Sequence, residues 1–132
     1  MHYSVKVDPD TSQRYLAVSV RGQDLLKDSL LNKGTAFTEE ERDAFGLRGL
    51  LPDHVSVIDS QLDRVRTQLD LKPDPIQKNI YLSGLQDRNE TLFYRVLIEN
   101  LEEVVPLVYT PVVAEACRHW SRLYRRARGV FV

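Results

Sequence analysis

One tyrosine in the chain has a sequence context that is unusual for an ionisable phenol. Tyr109 stands directly before Thr110 and Pro111, a pair that often begins a helix, because threonine can accept a bond from a free backbone N–H and proline at the first helical position loses no bond. The phenol would then lie near the unpaired N–H groups and the positive end of the helix dipole. The alternative is a half-buried tyrosine whose hydroxyl merely finds a hydrogen-bond partner.

Arginines form a second group of candidate residues. Arg88 lies beside Asp87 and Glu90, between two apolar segments, and an internal ion pair is the default interpretation of that pattern. Five arginines lie between residues 118 and 128. There, an anion or nucleic-acid patch competes with a solvated helix face whose cations suit the helix end, and we favour the solvated face.

The sequence contains no pattern for a metal or a nucleotide. His119 has no second histidine or carboxylate three or four residues after it, so the spacing gives no case for a zinc site. Cys117 lies on an apolar stripe and is predicted to be a packed, small hydrophobic residue. Gly-rich phosphate loops of the dinucleotide and Walker kinds are absent from the sequence.

Size and composition are those of one ordinary globular domain. The chain has 132 residues, of which 42% are hydrophobic and 28% charged, and its formal net charge is −1. These values give no case for nucleic acid or a membrane as a partner. A single cysteine excludes an intramolecular disulfide framework and fits a reducing compartment. Because the first residues lack the apolar core of a signal peptide, we expect a cytoplasmic protein.

The pattern of β-formers and apolar repeats predicts a mainly α-helical domain with a small N-terminal β hairpin or arm. The hairpin is predicted from residues 3–7 and 15–20, with turn residues 8–12 between them. Two strands alone are marginal in water, so the arm needs a partner surface. We divide the chain into this arm, 1–29, and a helical domain, 30–132.

About five helices are predicted in the second part, from apolar periodicity and capping residues. One begins at Thr38, which can form a capping box with Glu41. The others are predicted at 56–71 (capped by Ser56 with Asp59, with a stripe of Ile58, Leu62, Val65 and Leu69), at 76–85, at 89–103 (followed by Pro106, which ends it), and from Thr110–Pro111 onward. The strand-like residues 130–132 predict a truncation before an α/β nucleotide-binding region.

Several sequence blocks together point to a family. LQDRNETLFYRVL and the later VYTP, preceded by LLNKGTAFTEEER and GLRGLLP, closely resemble the N-terminal domain of the large-type malic enzymes, from about residue 30 to the C-terminus. The resemblance implies oxidative decarboxylation of L-malate to pyruvate and CO2 with NAD or NADP and Mg2+ or Mn2+. It assigns Tyr109 as the catalytic acid that protonates C3, and it implies a homo-oligomer, a dimer or a tetramer.

The resemblance also implies what this chain lacks. The catalytic lysine, the substrate-binding arginine, the metal ligands and the nucleotide-binding domain of the family are expected beyond Val132. We therefore expect no metal and no cofactor on this chain, and no malate turnover by it alone.

A regulatory site is a further implication of the resemblance. In some animal mitochondrial members, residues matching Gln61, Arg64 and Arg88 form a dimer-interface site for the activator fumarate. Two arginines can fork to the two carboxylates of a C4 diacid. One acidic residue of that site is Ser56 here. Two alternatives stay open: a non-catalytic module that binds a diacid, and the N-terminal part of a malolactic enzyme.

Overall fold

The computed structural model describes residues 2–127 and confirms the N-terminal hairpin. Strands β1 (Tyr3–Val7) and β2 (Arg14–Val18) pair antiparallel. Between them, the carboxylate of Asp8 accepts hydrogen bonds from the backbone N–H groups of Asp10 and Thr11, both at 2.9 Å. These bonds lower the pKa of the Asp8 carboxyl.

A helix that was not predicted follows the hairpin. Helix α1 (Gly22–Lys27) buries Leu25, and Gly22 begins it with a φ of 56°, a left-handed conformation that glycine adopts without strain. Leu25 belongs to a small core with Leu31, Phe37 and Leu47. This core joins the base of the hairpin, through Tyr3 and other partly buried residues, to the segment that follows.

The remaining described residues are mainly helical, which confirms the predicted fold class. After a 3-10 turn at Gly34–Ala36, the helices are α2 (Glu39–Ala44), α3 (Ile58–Asp70), α4 (Pro75–Arg88), α5 (Glu90–Glu99), α6 (Leu101–Val108), α7 (Val112–Arg118) and α8 (Trp120–Leu123). A larger core lies between α3, α4, α5 and α6, with Leu62, Val65, Leu69, Leu82, Leu85, Leu92, Phe93, Val96 and Val104.

Local sequence signals agree with the structure in three helices, two through their caps and one through its apolar stripe. Thr38 and Glu41 form the predicted capping box at α2. Asp74 caps α4 through the backbone N–H of Gln77 at 2.9 Å, with a proline in the first turn. The apolar stripe predicted for α3 is confirmed, because its three later members are buried.

Several predicted helix boundaries are wrong. The first residue of α3 is Ile58, so Ser56 does not cap it; Val57 occupies the cap position without a side-chain bond. Ser56 is buried instead, and its backbone N–H donates to the Thr35 carbonyl at 2.9 Å. The predicted helix 89–103 is interrupted at Asn100.

Pro106 does not end a helix, because it lies inside α6. The chain has already restarted at Leu101, so the proline removes one N–H from a short helix instead of stopping a long one. The last predicted helix is likewise divided, at His119, into α7 and α8. The strand-like run at 130–132 lies outside the described residues.

Candidate functional site

Tyr109 lies where α6 ends, in an extended conformation and with 67% of its surface exposed. Its backbone N–H donates to the Val105 carbonyl at 2.9 Å, and its own carbonyl accepts from the N–H of Val113 at 2.8 Å. The backbone is thus held from both sides while the side chain is open to solvent. An exposed hydroxyl on a fixed backbone is accessible to an external molecule.

The helix after Tyr109 does not begin as predicted. Pro111 occupies the cap position of α7, no side chain caps this helix, and the Thr110–Pro111 peptide is cis. Thr110 therefore does not accept the predicted hydrogen bond. The backbone carbonyl of Tyr109, and not its phenol, receives the N–H of Val113.

The three predicted effector residues lie together. Gln61, Arg64 and Arg88 line one cavity of about 200 Å³ between α3, the α4–α5 junction and the loop at residues 32–34. Gln61 is buried in its wall, whereas both arginines are exposed. The two guanidinium groups make this cavity cationic, and the buried amide adds a neutral polar group.

The loop from Asn32 to Thr35 orders this cavity. Arg64 donates to the Thr35 hydroxyl at 3.2 Å, and Gln61 donates through its amide to the carbonyl of Lys33, also at 3.2 Å. Across the cavity, the Asn32 amide donates to the backbone carbonyl of Arg88 at 2.8 Å. The guanidinium of Arg88 lies over the ring of Tyr81, with its Cζ at 5.7 Å from the centroid.

Glycine is required in this loop. Gly34 has a φ of 56°, which costs a residue with a side chain strain energy. A Cβ at this position would also lie 3.6 Å from the Gln61 amide oxygen and 3.9 Å from the Asn89 amide nitrogen. The chain therefore passes close to the cavity wall at Gly34, and a larger residue would enter that contact.

The sequence patterns did not identify the buried residue that binds this loop at the carbonyl of Thr35. Arg42 is 2% exposed and donates to five backbone carbonyls, which are those of Thr35, Phe37, Pro52, Asp53 and His54. An arginine in the last turn of a short helix is typically exposed to solvent, where its charge complements the helix dipole. No local sequence pattern distinguishes an exposed arginine at this position from a buried one.

Apart from Asp8, the pKa shifts belong to Glu40 and Asp43 on α2 and to Arg48, which follows that helix. The pKa of Asp43 is lowered because Arg48 donates hydrogen bonds to its carboxylate, and the pKa of Arg48 is raised by Asp43 and then Glu39. The pKa of Glu40 is lowered mainly by a backbone hydrogen bond. These exposed groups stabilise a helix end and have no place in the cavity.

The other candidates from the sequence are placed apart from this site. Cys117 is exposed, so the prediction of a packed small residue is wrong. His119 ends α7, and its backbone N–H donates to the carbonyls of Glu115 and Ala116. Within residues 2–127, no three His, Cys, Asp or Glu side chains lie close enough together to hold a metal ion. In that same range, no helix has the length and apolarity needed to cross a membrane.

Comparison with known proteins first defines the class. A family model described as the malic enzyme N-terminal domain matches residues 86–132, the segment that contains Arg88 and Tyr109. The match covers Tyr109 and one of the two arginines of the cavity, whereas Gln61 and Arg64 lie outside it.

The relatives then give a more particular assignment. The chain is 53% identical over 122 residues to an NAD-dependent malic enzyme of Proteus mirabilis, and 54% identical over 122 residues to one of Photorhabdus laumondii. Each match covers 92% of this chain and 21% of the relative. An NAD-dependent malic enzyme of Idiomarina loihiensis is 49% identical over 121 residues. The chain is thus similar to NAD-dependent malic enzymes and spans about a fifth of their length.

Proposed function

We propose that this chain serves as the N-terminal part of an NAD-dependent malic enzyme, and that Tyr109 supplies a proton to the product. The observation that carries the proposal is the position of this tyrosine. It is exposed, it is held by backbone hydrogen bonds on both sides, and it lies within the segment that the family model matches. When another part of a protein binds the substrate, the acid that protonates it must be accessible to that substrate and must be held in a fixed position.

The chemistry assigned to Tyr109 is the last proton transfer of the reaction. Loss of CO2 from oxidised malate leaves the enol of pyruvate, and pyruvate forms when C3 gains a proton while the enol oxygen loses one to solvent. The Tyr109 hydroxyl delivers the proton to C3 and is then reprotonated from solvent. A positioned acid typically contributes about 10² to 10⁴ in rate.

The earlier steps are not assigned to residues of this chain. A divalent metal needs carboxylate or imidazole ligands, and the described residues bring no such trio together. A dinucleotide needs a phosphate-binding loop, and the sequence has none. These residues do not fit either group, so we route no step through a metal or through NAD here.

The test isolates the proton transfer from the rest of the reaction. In a chimera, this chain replaces the matching region of a relative, and pyruvate is incubated with the enzyme in D2O. Exchange of the C3 protons, followed by proton NMR, reports the Tyr109 step in reverse. The Tyr109→Phe variant should lose this exchange and about 10²-fold or more of malate turnover.

The control is a tyrosine with similar exposure that lies far along the chain. Tyr15 is 48% exposed in β2, and Tyr15→Phe should leave both rates unchanged. If Tyr109→Phe retains the pyruvate exchange of the parent chimera, the assignment of the acid is wrong. Lactate as the product of malate would instead support the malolactic alternative.

We also propose that the chain contributes to contacts between subunits. Four exposed apolar residues form two pairs that are each four positions apart within one helix, Tyr94 with Ile98 on α5 and Leu101 with Val105 on α6. We call this set the outer stripe. An exposed apolar surface of this kind favours association, so sedimentation at micromolar concentration should show a homo-oligomer, either a dimer or a tetramer.

Substitution within the outer stripe tests this proposal. Ile98→Glu should shift the chain to a monomer, because a charge cannot be buried without a partner. Leu71→Glu is the matched control, since Leu71 is also exposed but ends α3 outside the stripe. A monomeric parent chain, or equal effects of the two variants, would contradict it.

A second candidate function follows from the cavity at Arg64 and Arg88. We propose that it binds a C4 dicarboxylate of the fumarate type as an effector, because two arginines can each pair with one carboxylate. Calorimetry with fumarate should show binding to the parent chain and about tenfold weaker binding to Arg88→Gln. Arg95→Gln, which removes an arginine outside the cavity, should bind like the parent. Equal binding by all three proteins would remove the effector site.

A further inference from the structure

We propose a second anion site on this chain, which takes a small molecule bearing two phosphate groups and lies in an open cavity between α4 and the segment after α8. This cavity of about 360 Å³ is lined by Lys72, Gln77, Ile80, Tyr81 and Arg125. Its volume is in the range that small-molecule sites occupy. We call it the Lys72–Arg125 cavity.

The two cations of this cavity have no acidic partner in the part of the chain that the structure describes. Among residues 2–127, neither Lys72 nor Arg125 forms an ion pair. Asp70 and Asp74 each lie two positions from Lys72 in the sequence, and Asp74 caps α4 by accepting the backbone N–H of Gln77 at 2.9 Å. Two positive charges therefore face the same open volume, and no carboxylate is among the described residues of its wall.

The cavity is also held in place by contacts from both sides. Lys72 Nζ lies 4.8 Å from the ring centroid of Tyr81, which restrains a side chain that is otherwise flexible. Tyr81 itself packs against the larger core. On the other side, the guanidinium of Arg126 donates to the Asp87 carbonyl at 3.1 Å, which ties the segment carrying Arg125 to α4.

The lining residues indicate the class of ligand. A guanidinium forks to two oxygens of a phosphate or a carboxylate, and an ammonium binds phosphate as a point charge. The Tyr81 hydroxyl and the Gln77 amide are neutral groups that can donate to further oxygens. The ring of Tyr81 faces Lys72 and Arg88, so it is not free to stack on a base. The cavity therefore matches the phosphates of a ligand, and a compact diphosphate has both the charge and the number of acceptors.

The test uses inorganic pyrophosphate and isothermal calorimetry on the 132-residue chain. The parent should bind pyrophosphate, whereas Lys72→Gln and Arg125→Gln should each bind about tenfold more weakly. Lys6→Gln makes the same charge change in the exposed β1 and should bind like the parent. Affinity should fall as salt is raised, because the site is open to solvent.

NMR supplies a second measurement that does not depend on affinity. Pyrophosphate should shift the ring signals of Tyr81, because Lys72 lies against that ring, and the shift should be absent in Lys72→Gln. The proposal is overturned if Lys72→Gln and Arg125→Gln bind like the parent, or if no binding occurs at millimolar pyrophosphate. Equally tight binding of malonate would overturn the assignment to phosphate.

This inference stands apart from the catalytic role of Tyr109. None of the lining residues of the Lys72–Arg125 cavity is a neighbour of Tyr109 in sequence, and the binding test needs no turnover. Failure of pyrophosphate binding therefore leaves the pyruvate exchange test intact. Failure of that exchange test leaves the anion site intact.

Discussion

Replacing Arg42 by methionine removes the donor that joins two loops of the fold. Its Nε donates to the Phe37 carbonyl at 3.0 Å, and its Nη1 donates to the Pro52 carbonyl at 2.7 Å. Three longer bonds, between 3.2 and 3.3 Å, reach the carbonyls of Asp53, Thr35 and His54. Methionine fills much of the same volume and offers no N–H group, so the variant isolates the lost bonds.

The cost follows from these five bonds. A hydrogen bond to a charged group contributes about 1.5–3 kcal/mol, and the two short bonds alone give roughly 3–6 kcal/mol on that scale. We count little for the three long bonds, because water can reach acceptors that are only partly buried. Removing the charge also relieves its desolvation, so we expect the free energy of unfolding to fall by about 3 kcal/mol. A domain with roughly 5–15 kcal/mol in total would lose much of its stability.

Urea denaturation followed by circular dichroism measures this loss. Arg42→Lys keeps the charge but has fewer donors and no planar fork, so it should fall between the parent and Arg42→Met. Arg95→Met is the control, because Arg95 pairs with Glu99 on an exposed helix face, where such a pair is worth about 0.5 kcal/mol. A loss below about 1 kcal/mol in Arg42→Met would refute the reasoning, since it would place these bonds at the value of surface contacts.

Three further changes test local features. Gly34→Ala should cost about 1–2 kcal/mol in urea denaturation because of its left-handed backbone; an unchanged midpoint would contradict this. Asn89→Ala removes a buried helix cap and should cost about 1–2 kcal/mol; recovery by Asn89→Asp would confirm the cap. Arg48→Gln should raise the lowered pKa of Asp43 towards its ordinary value, followed by NMR titration of the carboxyl carbon. Since the Asp43 pKa is lowered on folding, its stabilising effect holds above the unfolded pKa and is lost as the pH falls through the folded value. That loss at acidic pH should be smaller in the variant.

Elements with complete local signals could be predicted from the sequence. The capping box at Thr38 and the apolar stripe of α3 each depend on residues within one or two helical turns. The hairpin has turn residues between two runs of β-formers, and its strands lie where these predict. In each case, the structure required nothing from a remote part of the chain.

Boundaries set by remote contacts could not be predicted. Ser56 has the side chain of a good cap, yet its backbone N–H bonds the Thr35 carbonyl 21 positions earlier, 56 minus 35, and the helix begins two residues later at Ile58. Pro106 was predicted to end a helix because the earlier interruption at Asn100 has no proline or glycine to mark it. Burial of Arg42 depends on carbonyls of two loops, which sequence periodicity does not describe.

Only part of the candidate site could be predicted from the sequence. Family resemblance named Gln61, Arg64 and Arg88, and the structure places them around one cavity. The loop at Asn32 that bonds to the Arg88 carbonyl lies 56 positions before it, and no spacing rule relates the two. The role of Tyr109 stays a prediction, although its exposure is compatible with that role.

The cavity of the two arginines follows from the way one residue divides two helices. Asn89 ends α4 by donating its backbone N–H to the Leu85 carbonyl, and it begins α5 by accepting the Leu92 N–H on its side chain at 3.0 Å. No linker is needed between the helices. The break nevertheless leaves the Arg88 carbonyl and the Glu90 N–H without partners inside a helix.

The loop before α2 supplies those two partners, and this fixes its course. Ser29 accepts the backbone N–H of Glu90 on its carbonyl at 2.9 Å, and Asn32 donates to the Arg88 carbonyl. A loop bound at both points must continue along α3, where Thr35 receives Arg64. The backbone groups at a buried helix break need hydrogen-bond partners. The loop that supplies these partners also lines the cavity beside Arg64 and Arg88. The cavity therefore follows from the junction between α4 and α5. A change that makes these two helices continuous should separate the lining residues from one another, although both arginines are still present.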